Sequence, residues 1–104
     1  MKIIVKKVGE MPEIKEIKGT LEELQNIVGG YIESFPIAEN IVCICNEEGK
    51  LMGLNENFIF NCDSIVGDVF FCSVGEYDFE SLNEKQIENM MVVLRLCEMI
   101  KREM

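Results

Sequence analysis

Gly29-Gly30-Tyr31-Ile32-Glu33 is the joint on which this chain turns. Ahead of it, Leu21, Leu24, Ile27 and Val28 recur at helical spacing. Thr20 stands where an N-cap belongs, and Glu23 follows three residues later, the spacing of a capping box. Behind the joint, Tyr31, Glu33 and Phe35 alternate with Ile32, Ser34 and Pro36, the period of a strand. Either glycine can take the left-handed conformation that closes a helix. A helix of two to three turns is marginal alone, so it must dock on the sheet that follows. Two readings of the joint stay open. Gly29 and Gly30 form a C-cap with Tyr31 as packing, or they let a ligand or partner approach the backbone beside Tyr31 and Glu33.

The 104 residues, 48% of them hydrophobic, suffice for one folded domain with one core, spanning residues 1–104. No apolar run approaches the ~20 residues that cross a bilayer. Met1 to Lys6 interleaves charge with apolar residues, which is a strand pattern rather than a signal peptide. The expected compartment is therefore cytoplasmic.

Net charge is −9, and it is unevenly placed. Residues 1–18 carry five Lys against three Glu. Residues 19–84 carry thirteen acids against one base, Lys50. Residues 85–104 carry four bases against three acids. So acidic a middle opposes direct binding to nucleic acid and to anionic membranes, both of which want Lys and Arg patches. It suits either a solvated surface or an acidic face that docks on a basic groove of a partner protein.

The rest of the chain reads as strands closed by one long helix. Lys2–Val8 and Glu13–Ile17 form a hairpin about Gly9-Glu10-Met11-Pro12, with the second strand at an edge. Gly30–Ile37 and Ile41–Cys45 follow, the latter apolar throughout, as suits a strand covered on both faces. Asn46-Glu47-Glu48-Gly49 reads as a hairpin turn with Gly49 left-handed, returning as a strand over Lys50–Leu54. Asn55-Glu56-Asn57 and Asn61-Cys62-Asp63-Ser64 read as loops around Phe58-Ile59-Phe60, a short apolar piece of open type. Ile65–Val74 is a strand bent at Gly67-Asp68, followed by an acidic loop at Gly75–Asp78.

Ser81-Leu82-Asn83-Glu84 reads as a second capping box, with Phe79 stapling against Lys85 or Ile87. Ile87, Met90, Met91, Leu94, Cys97 and Ile100 stripe the final helix, and Val92 and Val93 widen the stripe. That width serves the core or the seam of a homodimer. Lys101 and Arg102 suit the helix C-terminus. The fold class is α+β: a mainly antiparallel sheet of about five to six strands carrying two helices, one short and one C-terminal.

Catalytic signatures are missing. With no His, no Ser/His or Cys/His pair forms. There is no Walker loop and no dinucleotide fingerprint. Asp63, Asp68, Asp78 and Glu80 lack calcium-loop spacing. The five cysteines, Cys43, Cys45, Cys62, Cys72 and Cys97, contain no Cys-x-x-Cys and read as reduced thiols rather than a zinc set. The expectation is a protein that is not an enzyme, with no catalytic residue, metal or cofactor. The acids expected to meet a basic protein partner are Glu33, Glu47, Glu48, Glu56, Asp63, Glu76 and Asp78. The alternative is a nucleotide-like ligand held by Gly29, Gly30 and Tyr31. A structural module dimerising through the last helix is a third reading.

Taken in order, Gly19–Gln25, Val28–Glu33, Cys45–Leu51, Gly53–Asn55, Gly67–Phe71 and Ser81–Ile87 resemble the domain-of-unknown-function 3846 family over nearly the whole chain. The segment from Asn57 to Ser64 is shorter and more apolar than the family pattern, and the cysteines are more numerous. The resemblance implies a small protein of a phage, plasmid or integrative element, acting in the cytosol of a bacterial host. It supplies no catalytic residue. With the acidic middle, it suggests an inhibitor or decoy of a defence or nucleic-acid-binding protein.

Overall fold

A computed structural model describes residues 1–103, with side chains through Met99. In chain order the elements are β1 (Lys2–Lys6), β2 (Glu13–Glu16), α1 (Leu21–Val28), β3 (Ile32–Ala38), β4 (Ile41–Asn46), β5 (Glu56–Phe60), β6 (Asp63–Val66), β7 (Val69–Val74), β8 (Phe79–Glu80) and α2 (Glu84–Glu103). The main sheet has six strands in the order β2-β1-β7-β4-β3, and β8 pairs with the end of β7. All its pairings are antiparallel. β5 and β6 form a separate two-stranded sheet.

Strand alternation sorts the core into two layers. Ile4, Cys43, Val69 and Phe71 face one side, covered by Phe58 and Ile65 of the small sheet and by Met90, Leu94 and Cys97 of α2. Ile3, Val5, Ile44, Phe70 and Cys72 face the other, covered by Leu24 and Val28 of α1. The central strands β1, β4 and β7 are apolar on both faces because both are covered. Fully buried Phe58, Phe70 and Phe71 each contribute about 2–3 kcal/mol by leaving water. The edges are blunted differently. β2 exposes charged residues, and β3 carries Pro36 beside a register shift.

The family of α+β folds expected from the sequence is the one observed, but several local expectations fail. Lys50–Leu54 is a run of turns, held by Met52 N–H to Glu48 C=O (2.8 Å) and Leu54 N–H to Gly49 C=O (3.1 Å). A returning strand has nowhere to pair, because β3 and β7 already occupy both edges of β4. Gly49 is not left-handed; its lack of a Cβ instead admits Val66, whose Cγ2 would lie 3.0 Å away.

The two loops expected around Phe58 are only partly loops: Glu56 and Asn57 belong to β5 and Asp63 and Ser64 to β6, leaving Asn55 and the Asn61-Cys62 turn outside the strands. Phe60 pairs with Asp63 across Asn61 (φ 50°) and Cys62 (φ 62°). That is a two-residue turn of the type usually written Asn-Gly, and Cys62 in the glycine place hid it. Gly67, at φ 78°, does more than bend a strand: it divides β6 from β7, which lie in different sheets.

α2 begins at Glu84 with Asn83 as its cap. Gln86 N–H donates to Asn83 Oδ1 (2.8 Å), and Asn83 N–H to Gln86 Oε1 (2.9 Å). This reciprocal box replaces the one expected at Ser81 and Glu84; Ser81 Oγ instead accepts the Lys2 N–H. Phe79 packs in the α1 layer, so Leu82 takes the staple position opposite Ile87. The side chains of Ile100, Lys101 and Arg102 lie outside the described residues.

Candidate functional site

The glycine pair has two separate jobs. Gly29 caps α1 with φ 78°, and the N–H groups of Gly29 and Gly30 both donate to Gln25 C=O, at 2.8 and 3.1 Å. Gly30 makes room: a Cβ there would lie 2.9 Å from Asn46 Nδ2. Asn46 is buried and ties the joint together. Its Nδ2 donates to Val28 C=O (3.2 Å), and its Oδ1 accepts the Glu48 N–H (2.8 Å). Glu47 N–H donates to Tyr31 C=O (2.9 Å). Helix end, strand start and the 46–49 turn are thereby locked into one corner.

Around that corner lie four of the seven acids singled out in the sequence. Glu33 pairs in register with Cys45, and Glu47 and Glu48 follow directly on β4; all three acids are exposed. Lys50 Nζ reaches Asp63 Oδ1 at 2.6 Å, an exposed ion pair. The Cys45 thiol reports the arrangement. Its pKa is raised by burial first and by Glu33 second, with Lys50 opposing. Among these acids stand exposed apolar groups: Tyr31 at 69%, Leu51 at 90% and Met52 at 55%.

The other three acids are elsewhere. Glu56, partly buried on β5, accepts a hydrogen bond from Ser64 Oγ (2.8 Å). Glu76 and Asp78 occupy the β7–β8 turn. Ile41 pairs with Ser73, so that turn adjoins the start of β4, whereas Glu47 and Glu48 follow its end. The two groups thus sit at opposite ends of the sheet.

Gln25, Asn26, Gly29, Gly30 and Tyr31 line a shallow hollow of about 410 Å³. Both glycine amides are already spent on Gln25 C=O, and the negative end of the α1 dipole points here. The hollow therefore offers little to a phosphate.

The thiols of Cys43, Cys72 and Cys97 are unsuited to nucleophilic work. Burial pushes Cys72 up to about 12, with Asp78 adding to it. Cys43 is raised well above its ordinary value by burial, then by Cys45 and Cys72, and Cys97 is raised by burial. Cys62 is exposed at the hairpin tip. Among the described residues no group of three or more His, Cys, Asp or Glu is placed to hold a metal ion. No described helix is long and apolar enough to cross a membrane.

Sequence reasoning missed two features. One is the buried pair of Lys6 and Asn57. Lys6 Nζ donates to Asn57 Oδ1 (3.0 Å), while Asn57 Nδ2 donates to the C=O of Lys6 (2.7 Å) and of Gly67 (2.8 Å). The available signal was a lysine on the same inward face as Ile4, two residues before it. The other is the exposure of Leu51 and Met52 in the turns that follow Glu47 and Glu48, hidden by the strand expected at Lys50–Leu54.

Comparison with curated proteins and with solved structures finds no match to either. A family model described as domain of unknown function (DUF3846) matches residues 1–95, and the chain belongs to that family.

Proposed function

We propose that the chain is a non-enzymatic interaction protein that docks on a basic surface of a partner protein. The observation that carries this reading is the corner itself. Tyr31, Leu51 and Met52 stand exposed among Glu33, Glu47, Glu48 and Asp63, with Lys50 the base among them. Exposed aromatic and apolar anchors ringed by charge suit a protein interface better than a backbone-tracking nucleic-acid groove. The corner is also held rigid by Asn46, which lowers the ordering cost of binding.

In the setting that the family resemblance implies, the chain belongs to a phage or mobile element and acts in the host cytosol. The partner is then a defence or nucleic-acid-binding protein whose basic channel the acidic corner occupies as a decoy. The immobilised chain should retain a basic protein from host lysate at low salt and release it as salt rises, because exposed charge is screened. Failure to retain any basic protein at low salt contradicts the reading.

A second reading concerns assembly. Val92, Leu96 and Met99 are exposed at i, i+4 and i+7, a continuous outer stripe on α2. We propose that this stripe supports a homodimer by helix-on-helix contact. Sedimentation should then show a dimer at micromolar concentration that Leu96→Glu dissociates. A wild-type chain that stays monomeric removes this second reading.

A further inference from the structure

The main sheet ends on two open edges, β2 and β3, and β3 is the longer, seven residues against four. One hydrogen bond fixes which way its backbone faces. Glu47 N–H donates to Tyr31 C=O (2.9 Å), so Tyr31 turns its peptide groups toward the β4 side. Antiparallel pairing alternates hydrogen-bonded and non-bonded residue pairs, so Glu33 and Phe35, opposite Cys45 and Cys43, turn the same way. Ile32 and Ser34 therefore turn outward. Their N–H and C=O groups have no partner among the described residues. Pro36, at the next outward position, has no N–H and closes that end of the edge beside the register shift. Tyr31 to Phe35 is left as a stretch that presents four backbone groups to a further strand.

Charge decides what that strand is. Tyr31 and Glu33 are exposed on the face that also carries half-buried Phe35, while Ile32 packs on the opposite face, in the α1 layer. Glu47 adjoins Tyr31 at one end, Glu39 is exposed past the other, and residues 31–39 hold no base. The β2 edge differs, with Lys15 and Lys18 among Glu13 and Glu16. A second copy on β3 would set two chains of net charge −9 edge to edge with both Glu33 side chains on one face. A basic strand meets no such opposition.

We propose that the β3 edge takes an extended basic segment of the partner protein as an added antiparallel strand. This rests on the reading of the corner as a dock for a basic protein and adds the mode of contact. Alternate Lys or Arg residues of the guest lie opposite Tyr31, Glu33 and Phe35. The residues between them exchange backbone hydrogen bonds with Ile32 and Ser34 and lay apolar side chains on the Ile32 face.

The test titrates the full chain, labelled at its backbone amides, with blocked Lys-Val-Lys-Val-Lys. The Ile32 and Ser34 amides should shift saturably and gain protection from hydrogen exchange, with the β2 amides unmoved. N-methylation of both valines removes the donors that face β3 and should weaken binding at least tenfold. N-methylation of the three lysines, whose amides face away, should leave binding essentially intact. Blocked Glu-Val-Glu-Val-Glu should not bind. Ser34→Pro, which removes an outward N–H and no internal bond, should weaken the basic peptide by about tenfold. No saturable shift at Ile32 and Ser34, or equal binding of the valine-methylated peptide, would overturn the proposal. If that methylated peptide still binds, releases with salt and is weakened by Glu33→Gln, the edge mode falls while the acidic corner stands as the dock.

Discussion

At the scale of single residues, the corner depends on an absence. Gly30 lacks the Cβ that would press on Asn46, and Asn46 in turn satisfies Val28 C=O at the end of α1. Gly30→Ala should therefore displace Asn46 and cost about 1–3 kcal/mol in denaturant unfolding, the price of a buried polar group left unmet. A loss within measurement error would show that Asn46 has another way to be satisfied. Cys62 makes the opposite case, a side chain where the backbone prefers none. Cys62→Gly should stabilise the β5–β6 turn by up to about 1 kcal/mol, since left-handed φ then carries no Cβ penalty. In the native protein Cys62 should also be the thiol that a disulfide reagent modifies fast, with Cys43, Cys72 and Cys97 reacting only on unfolding.

At the scale of elements, α1 shows how far local chemistry carries. Its bounds, cap box and closing glycine were all legible, because each is a short-range rule with its partners within a few residues. The Glu23 carboxyl is pushed up by desolvation. Hydrogen bonds from the N–H groups of Thr20, Lys18 and Gly19 outweigh that and leave its pKa lowered. A lowered folded pKa stabilises above the ordinary carboxylate range, and the contribution is lost as pH falls through the folded value. The stability gap between wild type and Glu23→Gln, present at neutral pH, should therefore close only as the pH falls below the ordinary carboxylate range. A gap independent of pH would mean that the carboxylate charge is not what holds the cap. What was not legible depended on distant partners. Nothing near Lys50 announces that β4 already has two neighbours, and nothing near Phe58 announces that β5 and β6 leave the main sheet. The cap of α2 slid from Ser81 to Asn83 because Ser81 is taken by Lys2, 79 residues away.

At the scale of the whole molecule, the sheet places Glu33, Glu47 and Glu48 at one end, with Tyr31, and Glu76 and Asp78 at the other. The sequence could count the acids but could not place them, since their grouping follows from strand order. The central claim is that the corner, rather than total charge, makes the contact. It is tested most directly by reversing charge at each end and comparing partner capture at low salt. The triple change Glu33→Lys, Glu47→Lys, Glu48→Lys should abolish retention of the basic partner. Glu76→Lys with Asp78→Lys, at the opposite end of the sheet, should leave it essentially intact. Equal loss in both variants would contradict the account, because it would show that net negative charge, and not the corner, governs binding.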